Sequence, residues 1–151
     1  MNAPLSTVQE IAKYCKLDFV QLHGNESPEY CRLVKVPVIK AVRVDSDFDP
    51  LVLVAYEVAW LLFDSFVAGQ QGGTGVAFDW QRAQKLREQI KTPLFVAGGL
   101  TVENVGNAVE ILSPEGLDVS GGVETKCSKD IEKIKQFLIA ARRAKGGMKR
   151  C

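Results

Sequence analysis

LDFVQLHGNESPEYCRLVKVPVIKAVRV, residues 17–44, holds a strand, a helix and a second strand in one run. Leu17–Leu22 is short, apolar and β-rich, and Ser27-Pro28 then supplies an N-cap and a first-turn proline for a helix through Val34. Val36–Val44 returns to an apolar, β-branched run. A helix between two such strands is the crossover of a parallel pair.

The alternation extends in both directions. Upstream, Leu5–Lys16 carries Val8, Ile11, Ala12 and Cys15 on one helical stripe, with Ser6 and Gln9 at capping-box spacing. Downstream, Asp49-Pro50 opens a helix over Leu51–Glu57, and Ala59–Phe63 is a third strand. The loop Asp64–Asp79 contains four glycines and leads into a polar helix, Trp80–Ile90. Leu94–Ala97 and Gly116–Val119 are further short strands, each running into a Gly-Gly pair, with a helix near Val102–Leu112 between them. Ser128 reads as the cap of a closing helix whose buried stripe is Ile131, Ile134, Leu138 and Ala141.

These five strands recur at close to the roughly 25–30 residues per unit of an eightfold α/β barrel. The fold class is therefore α/β with a parallel sheet buried on both faces, either an open doubly wound sheet or part of a (β/α)8 barrel that five units cannot close. Residues 1–145 form the domain, and basic 146–151 ends a fraying tail that starts near Arg142.

The composition excludes several classes of function. Of 151 residues, 46% are hydrophobic, 25% charged and 8% aromatic, the balance of one globular domain. A net charge of +1 provides no field for nucleic acid or an anionic membrane. There is no run of 18 or more apolar residues, and Met1–Glu10 lacks signal-peptide character, so the chain reads as cytoplasmic. Four cysteines without a CxxC pair and a single histidine, His23, argue against a metal site. The cysteines read as free thiols, with Cys15 and Cys31 packed in helices.

In either parallel architecture chemistry gathers at the carboxyl ends of the strands. Those exits read Gln21-Leu22-His23-Gly24, Arg43, Asp64, Gly98-Gly99-Leu100 and Ser120-Gly121-Gly122-Val123-Glu124. A Gly-Gly pair makes a tight turn, but two pairs on consecutive strands also suit an anion, because they bare N–H groups beside helix N-termini. Asp64 is either a turn residue or a carboxyl at the rim of an apolar strand, suited to general acid work. His23 either ties a loop or binds a ligand, and Gln21 shares its strand face. Lys40 and Arg43 lie on opposite faces of their strand, and one of them can neutralise a carboxylate or phosphate. The loop GQQGGTG, Gly69–Gly75, is long enough to fold over a ligand but lacks the lysine of a nucleotide P-loop.

Taken together, LDFVQLHGNES (17–27), KAVRV (40–44), LLFDS (61–65), GGTGVAFDW (72–80), FVAGGLTVENV (95–105) and GLDVSGGVET (116–125) resemble the phosphoribosylanthranilate isomerases of tryptophan biosynthesis, which are (β/α)8 barrels. The resemblance covers nearly the whole chain. It implies an Amadori rearrangement of N-(5-phosphoribosyl)anthranilate without metal or organic cofactor, with Asp64 as general acid. Gly98, Gly99, Ser120, Gly121 and Gly122 match the phosphate-holding region, and Gln21, His23 and Arg43 stand as substrate-binding residues. The family's first strand, a KxCG-type segment whose cysteine is the general base, has no counterpart here, nor has its second-strand arginine. The resemblance therefore implies strands four to eight of the barrel, with a complementary amino-terminal fragment or a homo-oligomer as the partner, and leaves turnover by the chain alone open. The alternative is a non-catalytic half-barrel that binds a sugar phosphate or a complementary chain.

Overall fold

A computed structural model describes residues 1–43, 51–64 and 80–147. The elements run α1 (Leu5–Tyr14), β1 (Val20–Leu22), α2 (Pro28–Leu33), β2 (Val38–Arg43), α3 (Leu51–Val54), β3 (Trp60–Asp64), α4 (Trp80–Gln89), β4 (Leu94–Ala97), α5 (Val105–Leu112), β5 (Gly116–Leu117), a 3-10 turn (Gly121–Val123), β6 (Glu124–Thr125), β7 (Ser128–Lys129) and α6 (Ile131–Gly147). The first five strands form one sheet in the order β1-β2-β3-β4-β5, and every pair is parallel. A doubly wound sheet reverses its order at a switch point, whereas this one advances in one direction, as the wall of a TIM-type barrel does.

Strand alternation divides the side chains between two faces. Toward the helices, Val42, Leu61, Phe63, Leu94 and Val96 pack with Leu86, Val105, Ala108 and Leu112 into the main core. Leu61, Phe63, Leu94 and Leu112 are fully buried, each contributing about 2 kcal/mol. A second cluster joins Leu22, Cys31, Val34 and Val38 to Leu5 and Val8 of α1. On the opposite face, Ala41, Leu62 and Ala97 pack with Ile39 and Phe95, and the Phe95 ring lies 4.7 Å from Trp60. That face is the concave one, and its next layer toward the strand exits carries Arg43 and Asp64.

The local chemistry explains both the agreements and the departures. Ser27 Oγ accepts from Tyr30 N–H at 3.2 Å and Pro28 occupies the first turn, so α2 starts as expected. α1 begins at Leu5 behind Pro4 with no side-chain cap, which leaves Ser6 inside the helix. Its inward residues are Leu5, Val8 and Ala12, while Ile11 and Cys15 are exposed. β1 is shorter than Leu17–Leu22 because its ladder starts where Val20 N–H meets the carbonyl of Pro37, a residue with no N–H to return.

The largest departure is at the carboxyl end. Ser128 pairs with Thr125 across a tight hairpin whose two central residues, Lys126 and Cys127, both have positive φ (52° and 60°). The cap of α6 is instead Asp130, whose Oδ1 accepts from the N–H groups of Glu132 and Lys133. Phe137 and Ala144 are the buried residues of α6, flanked by Ile134, Ala140 and Ala141, while Ile131 and Leu138 are exposed. The helix continues to Gly147, past the expected start of a fraying tail. Asp49-Pro50, the loop Gly69–Gly75 and residues 148–151 lie outside the described residues.

Candidate active site

The site grows from the exits of β1, β2 and β3. Arg43 and Asp64, the last residues of β2 and β3, are register partners, and Ala97 of β4 partners Asp64 on its other side. His23, one residue beyond β1, points its Nε2 at Asp64 Oδ2, 3.0 Å away. The Asp64 side chain is 16% exposed and that of His23 39%, so the carboxyl is the more buried of the two. Gln21 Nε2 lies 3.5 Å from His23 Nδ1, a weak contact that suits the tautomer with its proton on Nε2, directed at Asp64. Gln21, His23, Arg43 and Asp64 thus share the concave face, and Lys40 projects from the other face of β2.

Lys40 is part of the site's support. Its side chain is 2% exposed, and its ammonium donates to the carbonyls of Gly24 (2.7 Å), Ala41 (3.1 Å) and Leu22 (3.4 Å) and to Glu26 Oε2 (3.0 Å). Burial pushes the Glu26 carboxyl up, but N–H donors from Asn2 and Gly24 and the Lys40 ammonium outweigh it and bring its pKa down to about 2. Tyr56 O–H donates to the Glu26 carbonyl, closing the loop from below.

The exits of β4 and β5 are built from backbone. Gly98 and Gly99 both have positive φ (75° and 63°), which a side chain would resist. Asn104, just before α5, holds this turn: its Nδ2 donates to the Gly99 carbonyl at 2.9 Å and its Oδ1 accepts from Thr101 N–H at 2.8 Å. Gly122 lies so close to the Leu100 carbonyl that a Cβ there would overlap it, so the two glycine exits touch. At Gly121, by contrast, a Cβ would meet no atom within 4 Å. Packing does not require that glycine, and its backbone lies open to the exterior. Ser120 accepts from Lys129 Nζ at both its carbonyl and its Oγ, each at 3.1 Å, and Lys129 also pairs with Glu124. The expected residues thus form two adjoining groups, His23 with Asp64 and the glycine turns with Ser120, while Lys40, Glu26, Asn104 and Lys129 join them as supports.

A family described as N-(5'phosphoribosyl)anthranilate (PRA) isomerase matches residues 1–140. This chain belongs to the N-(5'-phosphoribosyl)anthranilate isomerase family. An isomerase of that name from Desulforamulus reducens is 45% identical over 138 residues, covering 91% of this chain and 65% of its own. One from Moorella thermoacetica is 43% identical over 145 residues, with 95% and 65% covered. The chain thus spans just under two thirds of the length of these relatives. Among solved structures, phosphoribosylanthranilate isomerase from Thermotoga maritima superposes with a TM-score of 0.80 at 34% identity, covering 95% of this chain and 70% of that one. A phosphoribosylanthranilate isomerase in complex with reduced 1-(o-carboxyphenylamino)-1-deoxyribulose 5-phosphate superposes at 0.75 and 33% identity, with 94% and 68% covered.

Cys31 is buried in α2, where burial pushes its thiol pKa up. Cys15 is exposed beyond α1, toward the amino ends of the strands, and Cys127 is exposed in the β6–β7 turn. A groove of about 570 Å³ between α1 and α2, lined by Ala12, Leu17, Val34 and Val36, lies at those amino ends, away from the site. Among the described residues no cluster of His, Cys, Asp and Glu has metal-binding geometry, and no helix is long and apolar enough to cross a membrane.

Proposed function

We propose that the chain carries the acid side and the phosphate side of an Amadori rearrangement, the isomerisation of N-(5-phosphoribosyl)anthranilate to 1-(2-carboxyphenylamino)-1-deoxyribulose 5-phosphate in tryptophan biosynthesis. Asp64 protonates the furanose ring oxygen, the C1–O bond breaks, and the anilino nitrogen lone pair forms the Schiff base. Loss of the C2 proton to a base gives the enolamine, which tautomerises to the ketone. The amides of Gly98, Gly99, Gly121 and Gly122 and the Ser120 hydroxyl hold the phosphate, with Lys129, itself paired to Glu124, anchoring the Ser120 segment from outside. Arg43 pairs with the anthranilate carboxylate, and Gln21 and His23 line the sugar.

The observation that carries this reading is the position of Asp64, at a strand exit on the concave face beside His23 and one strand from the Gly98-Gly99 turn. In the finer reading, β1–β5 are strands four to eight of the barrel, and a complementary amino-terminal βα segment brings the base. The test is isomerisation of N-(5-phosphoribosyl)anthranilate by the chain alone and with an added polypeptide spanning the first three βα units of a relative, each with an Asp64→Asn control. Turnover only in the mixture, lost in the control, is the expected result. Turnover by the chain alone, lost in the control, would keep the acid and remove the need for a complement. Turnover that survives Asp64→Asn overturns the acid, and none in either arm overturns the reaction.

A further inference from the structure

Lys40 and Glu26 lie behind the sheet, out of reach of any ligand at the exits, yet their contacts converge on one loop. The buried ammonium of Lys40 donates to the carbonyls of Leu22 and Gly24, the two residues that flank His23. The buried carboxylate of Glu26 accepts from Gly24 N–H at 2.8 Å and from Asn2 N–H at 2.9 Å. The pair closes on itself at 3.0 Å with side-chain exposures of 2% and 3%. Peptide groups on both sides of His23 are therefore fixed by opposite charges that water does not reach, and the imidazole between them meets Asp64 at 3.0 Å.

Resting on the reading of Asp64 as the acid, we infer that Lys40 and Glu26 are positioning residues that hold His23 against the Asp64 carboxyl. Stability alone would be a weak reason for such a pair, since matched apolar side chains generally serve a core as well or better. What apolar side chains do not supply is a set of directed bonds to the Leu22 and Gly24 carbonyls and the Gly24 amide. The β1 ladder ends at Leu22, and the loop's other bonds, Asn25 N–H to Asn2 Oδ1 at 2.7 Å and Tyr56 O–H to the Glu26 carbonyl at 2.9 Å, act on neither peptide group that flanks His23. With the charges gone, the loop keeps its chain path but loses the bonds that orient residue 23.

Because His23 is the chain's only histidine, its imidazole signals are unambiguous, and the test needs no turnover. At fixed pH, Asp64→Asn is expected to displace the His23 ring nitrogen resonances in the parental chain. In the double variant Lys40→Met/Glu26→Leu, which replaces both charges with apolar groups of similar size, the fold is retained and that displacement is lost. If the double variant does not fold, Glu26→Gln provides the same comparison with the ammonium in place, and the displacement shrinks. A full displacement in a folded double variant, or in Glu26→Gln if that is the variant that folds, overturns the inference, as does its absence in the parental chain. In the turnover assay of the preceding section, the double variant lowers kcat on the order of 10²-fold while KM changes little. Failure of the isomerase reading would silence that assay and leave the resonance test standing.

Discussion

The exits of β1–β3 and those of β4–β5 make two halves of one rim by different means. The first half works with side chains, His23 against Asp64 at 3.0 Å, and is braced from behind by the buried Lys40–Glu26 pair. The second works with backbone, the turn Gly98-Gly99 and the Ser120–Gly122 segment, and is braced by Asn104 and by the contact of Gly122 with the Leu100 carbonyl. A proton donor needs a carboxyl in a defined electrostatic setting, so that half is sensitive to charge. A phosphate cradle needs exposed N–H groups and room, so that half is sensitive to added bulk.

The predictions separate the halves. The largest effect is on turnover: Asp64→Asn in the complemented isomerisation assay is expected to reduce kcat by about 10²–10⁴-fold, with the unfolding midpoint little changed. Next is the brace of the first half. Lys40→Met leaves Glu26 buried without its cation and is expected to destabilise the chain by about 3–5 kcal/mol in urea titration, whereas Lys40→Met/Glu26→Leu recovers most of that loss.

Acid acts on the same brace. The Glu26 pKa is about 2 in the folded chain, below its ordinary value of 4.5, so the unfolded state binds the proton more tightly. Its contribution, roughly 3 kcal/mol, is therefore complete above about pH 4.5 and is lost as the pH falls through 2. Unfolding titrations from pH 5 to 2 should show that slope in the parental chain and a flatter one in Glu26→Gln.

In the second half, Gly99→Ala forces a Cβ into a φ of 63° and should cost about 1–2 kcal/mol of stability. Gly121→Ala meets no neighbouring atom, so its stability should stay within about 0.5 kcal/mol of the parent. Its affinity for a phosphate-bearing ligand should nevertheless fall by about tenfold, equivalent to about 1.4 kcal/mol. Bulk would thus impair binding in one half where charge removal impairs the fold in the other.

The sequence made the two halves legible to different degrees. Glycine doublets after apolar strands announce themselves, and Asp64 stands directly after the apolar run of β3, so the rim could be read before its geometry was known. The partners of those residues could not. Lys40 sits in an apolar strand, where only the register shows that it faces the helices and that the nearest carboxylate is Glu26, fourteen residues earlier. A lone lysine within the apolar run VPVIKAVRV does signal a buried cation that needs a partner. Two sequential readings failed for local reasons. The β6–β7 turn uses Lys126 and Cys127 at positive φ without any Asn-Gly signal, which moved the helix cap from Ser128 to Asp130. On α6 the choice between Phe137 and Leu138 as the inward residue depends on packing against α5 rather than on apolar spacing.

The central claim is that the two halves form one site. The most direct test is titration of the chain with reduced 1-(o-carboxyphenylamino)-1-deoxyribulose 5-phosphate, following the amide signals of Gly98, Gly99 and Gly121 together with the ring signals of His23. Both sets are expected to move with the same Kd, and Gly121→Ala is expected to weaken both equally. Movement of one set alone, or two different Kd values, would contradict a single site.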